Sequence, residues 1–353
     1  MNNPRSANVA GLGLIGGSIA LALRERGWHV TGDDLDAARV ERAQTMRAID
    51  SKGFDPEAYI TFVATPVLAV ADRVKRALSE STGLVTDVGS VKSGIAAAID
   101  DPRFVGGHPM AGSELDGFDG ADASMFEGAV WVLTPTSTTA DSTFSKVAAV
   151  VAELGADVVA LPADRHDQVV AVISHVPHLA AATLMGLASD RAEEHAALLR
   201  LAAGGFRDMT RIASGHPAIW LDICAENRPA ILSALDGLIS GLESMRDVVD
   251  RDDRGALFER LQHAREARTN LPSKVQSSEL AEVRIPIPDR PGAAAEVFTL
   301  AAELGVNIAS FEVVHSIEGN RGVAVVLVDV ARADLYRGGL IARGYRPAVQ
   351  RLG

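Results

Sequence analysis

A glycine-rich segment near the N-terminus has the spacing of a nucleotide-binding turn. Residues 11–16 read GLGLIG, which fits G-x-G-x-x-G, and they lie between a strand-like run and a stretch with helical spacing. The first glycine would allow a tight turn, the second a close approach of the backbone to a pyrophosphate, and the third close packing of helix on strand. The start of the helix would offer free N–H groups to the phosphates. We therefore expect a dinucleotide site; a glycine-rich turn without a nucleotide is the alternative.

Acidic residues after the second strand-like run indicate which dinucleotide this turn would accept. Asp34 follows the motif by about 20 residues, the distance at which a carboxylate binds the adenosine ribose. Asp33 adds a second negative charge and is the alternative ribose ligand. No arginine follows in the sequence before Arg39, so a 2′-phosphate would be repelled and NAD is favoured over NADP. The residues expected to contact the cofactor are Gly11, Gly13, Leu14, Ile15, Gly16, Asp34 and Thr65.

A serine and a histidine each follow a strand-like run, where side chains of an open α/β sheet face the ligand crevice. Ser90 lies in TDVGSVK (86–92) and can donate or accept a hydrogen bond, while Lys92 can pair with an anion. The alternative is that Ser90 caps a helix. His108 lies in GGHPMAGSE (106–114), which we expect to form a loop that places an imidazole near a ligand. An acid–base role is favoured for this histidine over a structural one.

Two further motifs carry histidines and arginines. SHVPH (174–178) has two histidines three residues apart, but no cysteine or further histidine stands at ligand spacing. A polar pocket is therefore favoured over a metal site, and we expect no metal. GGFRDMTR (204–211) has two arginines beside a glycine pair, and a guanidinium fork suits a carboxylate. The alternative for these arginines is a surface salt bridge.

The elements that must position these residues follow an alternating pattern in the first half of the chain. Short apolar runs alternate with turn or helix signals, which predicts a mostly parallel, doubly wound sheet. From about Asp164 the strand-like runs disappear and alanine-rich helical segments begin. The predicted strands are Asn8–Ala10, Trp28–Thr31, Tyr59–Ala64, Gly83–Thr86, Phe104–Val105, Ala129–Leu133 and Asp157–Leu161.

The helical segment and the C-terminal segment are organised differently. A heptad-like stripe predicts a long helix whose apolar face is either internal core or, as we favour, a dimer seam. After a polar linker the order is βαββαβ, a ferredoxin-like arrangement. We expect domains at 1–163, 164–270 and 281–353, with a linker at 271–280. The stripe consists of Ile231, Leu235, Leu238, Leu242, Met245 and Val249.

Composition excludes several classes of partner and site. The formal net charge of −12 argues against nucleic acid and anionic membranes, which attract basic surfaces. No uninterrupted apolar run approaches the roughly 18 residues of a membrane-spanning helix, and residues 1–8 lack the layout of a signal peptide. Cys224 is the single cysteine in the sequence, so no intrachain disulfide forms and a cytoplasmic location is expected.

Over Val9 to Asn270 these segments resemble the prephenate/arogenate dehydrogenase family. The segments that carry the resemblance are GLGLIGGS, TDVGSVK, GGHPMAGSE, SHVPH, GGFRDMTRIA and PAIWLDICAEN. The resemblance implies a Rossmann domain followed by an all-helical dimerisation domain, and hence a homodimer. The C-terminal unit resembles an ACT domain through its DRPG turn and residues 305–308, which implies an amino-acid effector such as tyrosine. Its implied effector-binding residues are Asp289, Pro291, Gly292 and Asn307.

The reaction implied by the resemblance is NAD-dependent oxidative decarboxylation of prephenate to 4-hydroxyphenylpyruvate, in tyrosine biosynthesis. His108 would accept a hydrogen bond from the ring hydroxyl, and Ser90 would orient that histidine. His178 and Arg211 would line the substrate pocket, with Arg211 binding a carboxylate. Glu114 would lie at the pocket mouth, and Ser113 would line the pocket near the keto or ammonium end of the substrate. Because Ser113 is neutral and offers little to an ammonium, prephenate is expected to be preferred to arogenate; the alternative is that Glu114 or Asp208 binds the ammonium.

Two other functions compete with this one. β-Hydroxyacid dehydrogenases and imine reductases share a Rossmann plus helical layout, but they often use a lysine in the helical domain. No lysine occurs in the sequence from Ala148 through Pro272, which disfavours them. An amino-acid sensor with an inactive dehydrogenase body is the non-enzymatic alternative. The intact glycine motif together with His108 argues against it.

Overall fold

The computed structural model describes residues 5–112, 117–192, 202–270, 280–288, 290, 292–315 and 321–351. Contacts between residues divide the chain into two compact units, residues 1–246 and residues 247–353. Each unit is described by itself. The predicted linker at 271–280 lies, except for Leu280, outside the described residues, and the predicted domain boundaries stay predictions.

The first unit is built on an eight-stranded sheet. Its strand order is β3-β2-β1-β4-β5-β6-β7-β8, and every neighbouring pair is parallel except β6 and β7. Central strands such as β1 and β4 are buried almost throughout, because helices cover both faces of a parallel sheet. The mostly parallel sheet is thus confirmed. The strands are β1 Ser6–Ala10, β2 His29–Asp33, β3 Ser51–Lys52, β4 Ile60–Val63, β5 Leu84–Asp87, β6 Phe104–Pro109, β7 Val130–Thr134 and β8 Asp157–Ala160.

The helices of the sheet region connect successive strands, as a doubly wound fold requires. Helix α1 directly follows β1 and buries seven residues, among them Ile19 and Leu23, against the main apolar core. A second apolar cluster lies under α3, where Val70 and Val74 contact Val85 and Phe104 of the sheet. These helices are α1 Leu14–Glu25, α2 Ala37–Thr45, α3 Val67–Glu80, α4 Ser93–Ala98 and α5 Asp141–Glu153.

A helical region follows the last strand of the sheet. Helix α6 passes through a π-helical turn, Ala171–His175, into α7, and such turns are frequent at functional sites. By length and composition Ala163–Asp190 could cross a membrane, a test that helices of protein cores also pass. The stretch carries buried, hydrogen-bonded His166 and Asp167, which favours a core helix. The helices are α6 Ala163–Val170, α7 Val176–Ala192, α8 Gly204–Thr210, α9 Pro217–Glu226, α10 Arg228–Asp250 and α11 Arg254–Thr269.

The heptad-like stripe lies on α10, and its two ends have different surroundings. Ile231 is buried in a small core with Val91, Ala171 and Ile223. Leu242 and Val249, farther along the helix, are each 60% exposed within one chain. The start of the stripe is therefore internal core, and its continuation is an apolar surface.

The C-terminal module of the second unit is a four-stranded antiparallel sheet with two helices, in the predicted βαββαβ order. The strand order β10-β11-β9-β12 is that of a ferredoxin-like fold, which is confirmed. Residues of β9 alternate between buried and exposed because one face of the sheet packs on the helices. The elements are β9 Leu280–Pro288, α12 Ala293–Glu303, β10 Ile308–His315, β11 Arg321–Asp329, α13 Val330–Ala342 and β12 Ala348–Arg351.

One expectation about the sheet is wrong. His108 lies in strand β6 and not in a loop, since β6 continues through Pro109. The physical reason is the antiparallel partner β7, which pairs Gly107 with Leu133 and His108 with Val132 and so keeps the backbone extended. The predicted short strand Phe104–Val105 therefore runs four residues further.

Candidate functional site

The glycine turn has the geometry that its spacing predicts. Gly11 has φ +97°, and a Cβ there would lie 2.4 Å from the carbonyl oxygen of Ala64. A Cβ on Gly16 would lie 1.8 Å from the carbonyl oxygen of Gly11, so helix α1 packs directly on the turn. A Cβ on Gly13 would meet nothing within 4 Å, which leaves this part of the backbone open to a ligand. Gly13 is also the N-cap of α1, and no side chain caps the first turn.

A dinucleotide fits this arrangement on a second observation. The hydroxyl of Thr65, which follows β4 beside the glycine turn, is buried and has no hydrogen-bond partner among the described residues. A buried hydroxyl without a partner costs free energy unless a ligand supplies one. Leu14 and Ile15 are partly exposed at the start of α1. The turn, the uncapped helix end and the Thr65 hydroxyl together suit a pyrophosphate and its attached ribose.

The two aspartates after β2 make different contacts. Asp34 accepts hydrogen bonds from the backbone N–H of Leu12 at 2.7 Å and of Asp36 at 2.9 Å, so both of its oxygens hold the turn. Asp33 is the last residue of β2, and its side chain is 35% exposed. The Nη2 atom of Arg73 contacts both oxygens of Asp33, at 2.8 and 2.9 Å. Asp34 therefore shapes the turn, and Asp33 is the more accessible carboxylate.

His108 ends a chain of buried hydrogen bonds that begins at a carboxylate. Its Nδ1 lies 2.8 Å from Nε2 of His166, and Nδ1 of His166 lies 2.8 Å from Oδ1 of Asp167. Both oxygens of Asp167 also accept backbone N–H groups, those of Lys92 and Ser93, at 2.8 Å each. His166 is fully buried, whereas His108 keeps part of its ring exposed. The chain of bonds fixes the ring of His108 through its Nδ1 atom.

The surroundings of His108 keep its imidazole neutral. Burial, together with His166, Lys92 and His175, holds the pKa of His108 well below its usual value of 6.5. His175 is itself buried against the amide of Asn227, and burial lowers its pKa to about 4. A neutral His108 can accept a proton or a hydrogen bond at physiological pH.

Lys92 and Ser90 differ from their expected roles. Lys92 was expected to pair with an anionic ligand, and this prediction is wrong. The residue is fully buried and pairs with Asp87. Ser90 does not cap a helix, because α4 begins at Ser93 and its first N–H groups bond Asp167 from α6 instead. Ser90 is half-buried, and within the described residues His108 bonds His166 and not Ser90. A role of Ser90 toward substrate or cofactor stays a prediction.

The segments of His178 and Arg211 are brought together. His178 stacks on Trp220 with ring centroids 3.6 Å apart. Burial lowers the pKa of His178 although a hydrogen bond with the backbone of Ile212 opposes the shift. Arg211, which directly precedes Ile212, begins a 3-10 turn and is exposed. His175 and His178 thus have separate partners, and among the described residues no group of three potential ligands could hold a metal ion.

Some predicted residues cannot be placed, and others lie apart. Ser113, Glu114, Asp289 and Pro291 lie outside the described residues. Gly292 directly precedes α12 with φ +87°, whereas Asn307 follows the other end of that helix, which is roughly 16 Å long. Asn307 lies in the wall of an open groove of about 450 Å³ between α12 and β10. Gly292 is not among the residues that line this groove.

Several residues of the site were not predicted from the sequence. His166 and Asp167 form the chain of bonds behind His108, Trp220 stacks on His178, and Arg73 binds Asp33. The adjacent His-Asp pair within α6 was the one available signal, because an aspartate is rarely buried unless it is paired. Nothing local in the sequence connects α6 with β6.

Comparison with known proteins gives consistent relationships. Two family models match the chain: "Prephenate dehydrogenase, nucleotide-binding domain" over residues 19–160 and "Prephenate dehydrogenase, dimerization domain" over residues 162–263. The chain is 33% identical to prephenate dehydrogenase of Bacillus subtilis over 332 residues, which are 89% of this chain and 90% of the relative. Among solved structures it is similar to prephenate dehydrogenase of A. aeolicus in complex with hydroxyphenyl propionate and NAD+, with TM-score 0.72 and 28% identity over 76% of this chain and 99% of that one. It is also similar to Synechocystis arogenate dehydrogenase, with TM-score 0.65 and 31% identity over 74% and 98% of the two chains.

Proposed function

The chain belongs to the prephenate dehydrogenase family, and from that premise we propose that it oxidatively decarboxylates prephenate to 4-hydroxyphenylpyruvate with NAD+. The cofactor is NAD, and the residues that would hold it are those of the glycine turn, Thr65 and an aspartate after β2. When bound, NAD+ accepts a hydride from the substrate. The remaining steps depend on residues of this chain.

The chain of bonds behind His108 determines which of its nitrogens is basic. Asp167 is an acceptor toward two backbone N–H groups and also accepts from Nδ1–H of His166. The Nε2 of a neutral His166 then carries a lone pair and accepts from Nδ1–H of His108. His108 therefore presents the lone pair of Nε2, which can accept a hydrogen bond from the ring hydroxyl of the substrate. The observation that carries the proposal is the pair of 2.8 Å contacts that joins Asp167 through His166 to His108, from which these tautomers follow.

The reaction needs a base that polarises the ring hydroxyl while the proton stays on that oxygen in the product. As hydride leaves the hydroxyl-bearing carbon, His108 takes a share of the hydroxyl proton and stabilises the carbonyl character that develops there. The ring carbon opposite then loses carbon dioxide, and the electrons of that broken bond restore the aromatic ring. The proton remains on the phenol oxygen. The products are 4-hydroxyphenylpyruvate, carbon dioxide and NADH.

Arg211 is the proposed ligand of a substrate carboxylate, because a guanidinium can bind both carboxylate oxygens and stays charged at any pH of interest. Neutral His178, held flat against Trp220, would line the same pocket. Ser90, Ser113 and Glu114 complete the proposed pocket on the strength of their sequence positions. The net charge of −12 makes such local positive groups necessary for an anionic substrate.

The direct test is NADH formation by the purified chain with prephenate and with arogenate, each with NAD+ and NADP+. We expect NAD+ with prephenate to be the most efficient pair. A protein that forms no NADH with either substrate would overturn the proposed activity. Arogenate is the second candidate substrate, favoured by the 31% identity to Synechocystis arogenate dehydrogenase. Higher kcat/KM with arogenate would assign that activity instead.

We also propose a homodimer and regulation through the C-terminal module. The exposed apolar residues at the end of the α10 stripe support the dimer.

The groove at Asn307 supports an aromatic amino acid such as tyrosine as the effector, because the ring centroids of Phe298 and Phe311 lie there 4.6 Å apart. A chain truncated after Ser278 is expected to keep its activity and to lose inhibition by tyrosine. Inhibition that persists after truncation would assign tyrosine to the active site, where it resembles the product.

A further inference from the structure

Arg73 is a partly buried arginine that the proposed reaction does not use. It lies on α3, its side chain is 12% exposed, and its guanidinium lies over the ring of Phe54 at 5.4 Å. Its Nη2 binds both oxygens of Asp33. Its Nη1 is buried, and no described residue accepts a hydrogen bond from it. A guanidinium nitrogen is an obligate donor, so a buried one without an acceptor is costly in the cofactor-free chain.

The location of this ion pair connects it with the adenosine end of the cofactor. Asp33 ends β2, and its carbonyl oxygen accepts the backbone N–H of Gly11 at 2.8 Å. The end of this strand is where a carboxylate binds the ribose 2′-hydroxyl in NAD sites and where an arginine accommodates the 2′-phosphate in NADP sites. Here both groups are present, and the carboxylate holds the guanidinium.

We infer that Arg73 is the residue on which cofactor selectivity depends, held by Asp33 in a state that accepts a 2′-hydroxyl and excludes a 2′-phosphate. Arg73 fixes the orientation of the Asp33 carboxylate toward the ribose. Removal of that carboxylate leaves a charged guanidinium, with two nitrogens lacking partners, to bind a 2′-phosphate. This inference rests on the proposed function for the presence of a dinucleotide.

Arg39 provides a matched control. It lies near the same turn, with its Nη1 3.8 Å from Asp34, but it is exposed, and no ion pair within the described residues joins it to Asp33. Loss of Arg39 removes the same charge from the same side of the molecule. A 2′-phosphate effect that is purely electrostatic would respond equally to Arg39 and Arg73.

The test is direct binding of NADH and NADPH to the full chain, followed by the fluorescence of the reduced nicotinamide. Five proteins are compared: wild type, Asp33→Ser, Arg73→Gln, Asp33→Ser with Arg73→Gln, and Asp33→Ser with Arg39→Gln. We expect wild type to favour NADH by tenfold or more and Asp33→Ser to bind NADPH at least about tenfold more tightly than wild type does. Arg73→Gln in the Asp33→Ser background should abolish that gain, and Arg39→Gln should leave it within about twofold.

Different outcomes would overturn the role of Arg73 and the proposed NAD site. A gain in NADPH affinity that survives Arg73→Gln, or that disappears with Arg39→Gln, would overturn the role of Arg73. If Asp33→Ser is unstable, Asp33→Asn removes the charge with little change of shape, and no gain with a folded Asp33→Asn overturns the inference too. Wild type that binds neither reduced cofactor would instead refute the proposed NAD site.

Discussion

At the scale of single residues, His108 differs from an ordinary histidine in having one nitrogen committed to a buried partner. We therefore expect its replacement to affect kcat and KM differently. His108→Asn removes the lone pair that polarises the hydroxyl, so kcat should fall by about 10²–10⁴ while KM changes little. Steady-state kinetics with prephenate and NAD+ measure both values, and His263→Asn, at an exposed position, is the control. Turnover near that of wild type would remove His108 from the proposed role.

His166 acts through His108 and is therefore a positioning residue. His166→Asn breaks the bond at 2.8 Å that fixes the tautomer, and we expect kcat to fall by roughly 10–10³. Because His166 is one of the groups that lower the pKa of His108, its loss should also move the acidic limb of the kcat/KM profile to higher pH. The pH profile is the decisive measurement, since a general loss of structure would lower the rate without moving that limb. An acidic limb at the wild-type pH would contradict the positioning role of His166.

At the scale of elements, the glycine turn gives a prediction that separates packing from binding. Gly16→Ala would place a methyl group against the carbonyl of Gly11, so α1 must shift and unfolding should become easier by about 1–3 kcal/mol. Gly13→Ala meets open space and should leave the stability unchanged. It should still weaken NADH binding by about tenfold or more, because the methyl group occupies the path of the pyrophosphate. Urea unfolding and NADH fluorescence titrations measure the two effects. Equal destabilisation by both substitutions would show that the turn does not have this geometry.

Seven of the eight strands of the first sheet were predictable because each contains a short apolar run with turn signals at its ends. Strand β3, the two polar residues Ser51–Lys52, was missed because it contains no such run. Pairing was less predictable. Strand β7 runs antiparallel to β6, and no local pattern distinguishes this pair from the parallel ones, so His108 was expected in a loop. The burial of Lys92 could not be predicted for the same reason. Its partner Asp87 lies in the same motif, but the complete burial of Lys92 depends on packing from distant elements.

Asp167 shows most clearly what the sequence could not reveal about the site. Its carboxylate accepts hydrogen bonds from the N–H groups at the start of α4, about 75 positions earlier in the chain. It also accepts a hydrogen bond from Nδ1–H of His166. Sequence rules for helix caps look for a residue directly before the helix. A cap supplied by another helix leaves no such signal. By contrast, Gly11, Gly13 and Gly16 were predictable because turn, approach and packing all act within one short segment.

At the scale of the whole molecule, the chain is acidic while the histidines of its first unit are weakly basic. The formal net charge of the chain is −12, whereas burial lowers the pKa values of His108, His175 and His178. These three imidazoles are thus kept neutral near neutral pH. Acidification would lower the stability of the folded chain through these histidines before it protonates most carboxylates, because histidine in the unfolded chain titrates near 6.5.

The stability of the protein should accordingly depend on pH through His175. Its pKa is about 4 in the folded chain and 6.5 in the unfolded chain, so between these values the unfolded chain binds more protons. The stabilisation is complete above pH 6.5 and is lost as the pH falls toward 4, by at most about 3 kcal/mol from this residue. His175→Gln can still accept the hydrogen bond from Asn227 but cannot titrate, so its free energy of unfolding should fall less steeply over that window. Urea unfolding at several pH values, with His263→Gln as the exposed control, measures the slope. Equal slopes for His175→Gln and wild type would show that His175 is not the titrating group.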